Sequence, residues 1–175
     1  MSRGFEVAKG FENSEIDLPC RETLHAAGYD FECAQEITIK PIWSSVFARI
    51  GMMFGFYNTE ENESEVNGWL KPTLVKTGVK AYMEEDEALF LYNRSGNPIK
   101  KFLLLGNGVG VVDSDYFGNE NNDGHIMFQF INFGFFPLTI VKGERIGQGV
   151  FQKFLLKDND TGGKALRKGG HGHTK

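Results

Sequence analysis

The chain has 175 residues, a net charge of −4 and 16 phenylalanines. That length suits one domain with a sizeable core, and the aromatic content argues against a disordered chain. The acidic balance argues against a nucleic-acid-coating surface, so a bound anion would need a local cationic site or a metal ion.

The opening MSRGFEVAKGFENSEIDLP lacks the apolar core of a signal peptide, and no apolar run reaches the ~18 residues of a membrane span. The expectation is a soluble, cytoplasmic protein without a membrane partner. Cys20 and Cys33 are too far apart for a CxxC pair and are read as reduced thiols. The stretch EITIK alternates, with Ile37 and Ile39 on one side, and predicts a strand. Next, Trp43, Val46, Phe47, Ile50 and Phe54 fall at helical spacing, with Ser44, Ser45 and Arg49 opposite. Two readings of this helix stay open: it packs its apolar face on a β body, or it is an inserted partner-binding element. The acidic run TEENESE after it reads as an exposed loop. TLVKTGVKAYM and ALFLY have the β-branched and apolar character of strands. KFLLLGNGVGVVD reads as two strand pieces around a glycine-rich bend, and HIMFQFINF and GQGVFQKFLL as aromatic-rich strands. Many short strands at this spacing predict an all-β sandwich or barrel. The closing KDNDTGGKALRKGGHGHTK is polar and glycine-rich, expected to be mobile when alone.

Several local patterns carry no chemistry. GNGVG places Gly106, Gly108 and Gly110 at G-x-G-x-G spacing, and an acidic turn follows where a dinucleotide fold needs a helix. DSDYFGNENNDG has Asp113, Asp115 and Gly118 at calcium-loop spacing, but Phe117 and Gly124 occupy two ligand positions. His171 and His173 have no further ligand cluster around them. Ser95 has no histidine near it in sequence, and a G-x-S-x-G elbow is absent.

Five stretches fit together instead: AGYDF (27–31), NRSGNPIK (93–100), GNGVGVVDSDYFGN (106–119), ERIGQGVF (144–151) and RKGGHGHTK (167–175). In order and spacing they resemble the five motifs of the trimeric dUTPases, the dUTP pyrophosphatases. The resemblance runs from Ala27 to the end, and its third motif is the most specific. It looks most like the longer Gram-positive or phage-type members, with an insertion at 42–70 between the first and second motifs.

The resemblance implies a fold and a set of roles. The fold would be a distorted jelly-roll-like β-barrel over residues 1–160, with a short inserted helix and a C-terminal arm over 161–175. The assembly would be a homotrimer, each site lying between three chains, with the arm supplied by a neighbour. The substrate would be dUTP, cleaved between its α- and β-phosphorus atoms. Asp113 matches the general base that holds the attacking water. Tyr116 matches the ring that packs on the deoxyribose and leaves no room for a ribose hydroxyl. Asn107 and the hairpin backbone around Gly110 match the uracil site, and glycines there would let the backbone approach the base. Arg94, Ser95, Gly96 and Gln148 match phosphate contacts, and Arg167 the arginine that grips the terminal phosphate. Mg²⁺ would be chelated by the phosphates, with Asp30 reaching it through water or serving as a structural hydrogen bond. Asp115 is expected to face away from Asp113 and to tie down the turn.

The match departs from the family in places. His171 takes the position of a phenylalanine that stacks on uracil, and His173 that of a small hydroxyl residue. Gly147 stands where alanine is common, and Asn97 with Pro98 implies a tighter turn. Two other functions remain open: a dCTP deaminase on the related fold, and a nucleotide-sensing protein that binds a regulatory partner through the 42–70 insertion.

Overall fold

The computed structural model describes residues 2–56, 68, 70–163 and 169–170. In chain order the strands are β1 (Gly4–Val7), β2 (Tyr29–Glu32), β3 (Ile37–Ile39), β4 (Thr73–Lys76), β5 (Val79–Tyr82), β6 (Glu87–Asn93), β7 (Leu103–Leu105), β8 (Gly110–Asp113), β9 (Met127–Asn132), β10 (Leu138–Ile140) and β11 (Arg145–Lys153). Helix α1 spans Trp43–Met53 and helix α2 spans Gly96–Lys101. A 3-10 turn covers Ser114–Tyr116. None of the helices among the described residues is long and apolar enough to cross a membrane.

The all-β expectation holds, but the strands do not close into a barrel. They form a four-stranded sheet (β2-β11-β6-β8), a three-stranded sheet (β4-β9-β7) and two ribbons (β1-β5 and β10-β3), with antiparallel pairing in each. The segment TLVKTGVKAYM is two strands rather than one. Gly78, at φ +70°, turns the chain between β4 and β5 and sends them to different sheets. Likewise β7 pairs with β9 while β8 pairs with β6, so the glycine-rich bend crosses between sheets and is not a hairpin. The chain passes from β6 through β7 and β8 to β9 by alternating between the two larger sheets, a jelly-roll-like path.

The core lies between these sheets. Phe31, Leu89 and Ile146 of the four-stranded sheet and Val75, Leu103, Phe128 and Phe130 of the other are all buried. The Phe31 and Phe128 rings meet at 5.6 Å, and Phe128 stacks on Phe130 at 5.9 Å. Each such ring contributes about 1.5–3 kcal/mol through burial. Cys33 is buried and Cys20 exposed, both as free thiols.

Helix α1 overturns the expected orientation. Its buried residues are Ser45, Ala48 and Gly51, while Val46, Phe47, Ile50 and Phe54 face outward, Phe54 at 72% exposure. Small residues at every third position let the helix approach closely, and Ser45 satisfies its hydroxyl on the Ile42 carbonyl at 2.7 Å. Trp43, half-buried, donates to the Phe133 carbonyl at 3.0 Å and stacks on Phe135. The acidic run 59–65 lies outside the described residues.

Candidate active site

The residues expected to meet base and sugar lie on β8 and the turns at its two ends. β8 runs antiparallel to β6, with Gly110 opposite Leu91. A Cβ on Gly110 would meet the Leu91 side chain at 3.1 Å, and one on Gly106 would meet Pro72 at 2.8 Å. These two glycines are thus required by packing inside the protein as well as by any ligand. Gly108, at φ +70°, serves the bend itself. A cleft of about 200 Å³ opens here, lined among others by Leu91, Asn107, Gly110, Tyr116, Gln129 and Gly170.

Along β8, Gly110 and Val112 are buried while Val111 and Asp113 are exposed. Period-two alternation therefore puts Asp113 on the exposed side with Val111, at the end of β8. The expectation that Asp113 and Asp115 face opposite ways has no strand to rest on. Residues two apart in a strand share a side, but β8 ends at Asp113 and the 3-10 turn carries Asp115. That turn also buries Tyr116, which is 7% exposed. Its hydroxyl donates to the His125 carbonyl at 3.1 Å and accepts from Asn122 Nδ2 at 2.6 Å. Gly169 and Gly170 reach this place too: a Cβ on Gly170 would lie 2.9 Å from Tyr116 Oη, and one on Gly169 would clash with Asn121 Nδ2. Here the chain's own Gly170 lines the cleft. Arg167, His171 and His173 lie outside the described residues.

A second cleft of about 620 Å³ is lined by Asn93, Arg94, Ser95, Gly96, Asn97, Lys100, Lys101 and Gln148, and so gathers four of the residues expected to contact phosphate. The second and fourth motifs meet because β6 and β11 pair, with Tyr92 opposite Gln148 and Asn93 opposite Gly147. What was expected to be a tight turn at Asn97 and Pro98 is helix α2; proline is tolerated in a first turn, where the N–H groups lack helical acceptors. Lys100 and Lys101 sit in its last turn, where the helix dipole favours cations. Lys101 pairs with Glu144. Asn97, 4% exposed, donates to Asn93 Oδ1 at 2.7 Å and to the Ile146 carbonyl at 2.8 Å, fastening α2 to β6 and β11. Reading the sequence missed Lys100, Lys101 and Asn97 as site residues. A serine–glycine start followed by a lysine pair was the available signal, masked by the proline between them.

Asp30 on β2 is 7% exposed and ringed by cations. It accepts from Gln148 Nε2 at 3.1 Å and lies 3.7 Å from both Arg94 Nε and Arg145 Nη1. Such partners hold Gln148 and Arg94 at the second cleft. Among the described residues no group of three or more His, Cys, Asp or Glu side chains could hold a metal ion. The cations of the second cleft, Arg94, Lys100 and Lys101, have the charge to meet an anion rather than a bare metal ion.

An all-β body with an exposed acid, a buried tyrosine and a cationic cleft is what a nucleotide polyphosphate hydrolase would need. The family model for dUTPase matches residues 62–174. The chain is 41% identical over 173 residues to the deoxyuridine 5'-triphosphate nucleotidohydrolase of Lactococcus lactis subsp. lactis, covering 98% of this chain and 97% of that protein. It matches the crystal structure of dUTPase from Streptococcus mutans at TM-score 0.69 and 39% identity, covering 89% of this chain and 99% of that one. A mutant dUTPase from phage phi11 of S. aureus, whose structure shows a structural Mg(II) ion, shares the fold at TM-score 0.61 and 14% identity, covering 94% of this chain and 98% of that one. The chain belongs to the dUTPase family; it is a hydrolase of the dUTP diphosphatase type.

Proposed function

We propose that the chain hydrolyses dUTP to dUMP and pyrophosphate in the cytoplasm, keeping uracil out of DNA and supplying dUMP for thymidylate synthesis. The observation that carries this reading is the place of the third motif in the fold: Gly110 at the head of β8 and Tyr116 in the turn after it line one cleft, and Asp113 is the exposed residue that ends β8 between them. Asp113 accepts a proton from a water as that water's oxygen attacks the α-phosphorus. The bond to the α,β-bridging oxygen breaks and pyrophosphate leaves. Tyr116 presents its ring to the deoxyribose, and Asn107 with the neighbouring backbone reads the uracil edge. Arg94, Ser95, Gly96 and Gln148, joined by Lys100, bind the phosphates. Arg167 and His171 complete the site from the arm at 161–175, which closes on the body at 1–160. Mg²⁺, bound with the triphosphate, would neutralise part of its charge, with Asp30 reaching it through water; Asp30 also anchors Gln148 and Arg94.

The base cleft and the phosphate cleft share no lining residue among those described. This separation supports a homotrimer in which one copy's phosphate cleft faces another's base cleft. The outward apolar face of α1 favours one second reading, a regulatory protein partner held through 42–70. If a Phe47→Glu, Ile50→Lys double variant keeps turnover but changes the assembly mass in light scattering, that face joins copies of the chain instead.

Pyrophosphate release tests the main reading, measured from dUTP, dCTP, dTTP and UTP with and without Mg²⁺. The wild type should act on dUTP alone and fastest with Mg²⁺. Asp113→Asn should lose turnover by at least ~100-fold while still binding dUTP. Retained turnover in that variant would overturn the assignment of the base.

A further inference from the structure

Tyr116 is held by a polar loop that starts at the end of the third motif and runs beyond it. The loop 118–124 folds around the tyrosine, with Asp123 at φ +58° and Gly124 at φ +79°. A Cβ on Gly124 would lie 2.7 Å from the Tyr116 carbonyl oxygen. Asn119, 8% exposed, donates through Nδ2 to the Tyr116 carbonyl at 2.8 Å and to Asn122 Oδ1 at 2.8 Å. Its Oδ1 accepts from the backbone N–H groups of Asn121 and Asn122. Asn122 Oδ1 also accepts from Gly124 N–H at 3.3 Å.

These partners fix which way the Asn122 amide points. The groups facing one end of it, Asn119 Nδ2 and Gly124 N–H, can only donate, so that end must be the oxygen. The NH₂ end therefore faces Tyr116 Oη, at 2.6 Å. The phenol accepts there and directs its own proton to the His125 carbonyl at 3.1 Å. The far end of the ring is thus tied on two sides, while its near end is fixed by the short turn.

We infer that Asn122 is a specificity-determining positioning residue: by donating to the Tyr116 hydroxyl it fixes the tilt of the ring that rejects a ribose 2′-hydroxyl. This rests on the reading of Tyr116 as the sugar-facing ring. Steric exclusion works only if the excluding group cannot yield. A ring free to tilt by a fraction of an ångström would admit the extra oxygen, whereas one held by hydrogen bonds at its tip would not.

The test compares kcat/KM for dUTP and UTP in wild type, Asn122→Leu, Tyr116→Phe and Tyr116→Leu. Asn122→Leu keeps the size and removes the donor to the phenol, whereas an aspartate would simply accept the phenol's own proton in its place. Asn119 keeps its bonds to the Tyr116 carbonyl and to the N–H groups of residues 121 and 122, and a thermal melt checks that the loop survives. A merely structural asparagine predicts a lower melting temperature with unchanged discrimination. The proposal predicts that the dUTP-over-UTP ratio falls by at least ~10-fold, mainly because UTP turnover rises, with kcat for dUTP within about threefold of wild type. Tyr116→Phe, which leaves the loop intact, should show a similar loss, and the Asn122→Leu, Tyr116→Phe double variant no further loss. If Tyr116→Leu retains wild-type discrimination, the reading of Tyr116 fails and this inference with it. If Tyr116→Leu loses discrimination while Asn122→Leu keeps it, the inference alone is overturned.

Discussion

Acid should destabilise this protein through one buried histidine. His125 is 7% exposed; its Nε2 accepts from Gly78 N–H at 3.0 Å and its ring packs on Phe11 at 4.7 Å. Burial, aided by the charge of Lys76, pushes its pKa from 6.5 down to about 4. A protonated ring has donors on both nitrogens, so it could not accept from Gly78. The folded chain binds this proton more weakly than the unfolded chain. Stability is therefore whole above pH ~6.5, falls as the pH drops toward ~4, and stops falling once the folded ring also protonates. The full difference, two and a half pH units at 1.36 kcal/mol each, is about 3 kcal/mol. Urea denaturation at fixed protein concentration, from pH ~7 to ~4, measures it in wild type and His125→Gln. The carboxylates held low by partners, Asp86, Glu87 and Asp123, titrate in both proteins and cancel in the comparison. Wild type should lose about 3 kcal/mol more than the variant across that range. Parallel pH curves would refute the argument, whatever the variant's stability at neutral pH.

Two further substitutions probe how the body holds the phosphate cleft. Gly147→Ala would place a methyl 2.0 Å from Cε1 of the buried Phe128 ring, and thermal melts should show a loss of about 1–3 kcal/mol, partly recovered by Phe128→Leu. Asn97→Leu would strip the Ile146 carbonyl and Asn93 Oδ1 of a buried donor. A stability loss of roughly 2 kcal/mol or more should accompany a raised KM for dUTP as α2 loosens.

The sequence was most legible where one residue type has one use. Ile37 and Ile39 alternate because one side of β3 is covered, and the strand sits where alternation put it. The dUTPase motifs were legible because Asp113, Tyr116 and Gln148 each stand in a context few other proteins share. Helix α1 was legible as a helix but not in orientation. Apolar spacing reveals a stripe, not what covers it, and Ser45, Ala48 and Gly51 won the inner face by being small. Barrel closure failed for a related reason. Pairing partners depend on where Gly78 and the bend at Gly106 send the chain, and strand propensity does not contain that information. Gly147, read as a minor departure, has its cause in Phe128, a neighbour in space but not in sequence. The Asn119–Asn122 loop was passed over because asparagines after a turn look like solvated loop; only the geometry shows one of them gripping a phenol.

The two separate clefts allow a decisive test of how the site is assembled. Asp113→Asn disables the base side, and Arg94→Glu should disable the phosphate side by turning a cation in that cleft into an anion. Each variant alone should be inactive. Suppose that in a threefold assembly each site takes its base cleft from one copy and its phosphate cleft from the next. Co-expression of the two variants in equal amounts then gives mixed trimers. A site is intact when the first copy carries only Arg94→Glu and the second only Asp113→Asn, which random mixing produces in about a quarter of sites. Mixed trimers should thus recover roughly a quarter of wild-type turnover from two dead parents. If one copy supplied both clefts to its own site, every site would contain a defect and no activity would return. Recovery therefore requires exchange between copies, and its absence in trimers shown to be mixed would place the whole site within one chain.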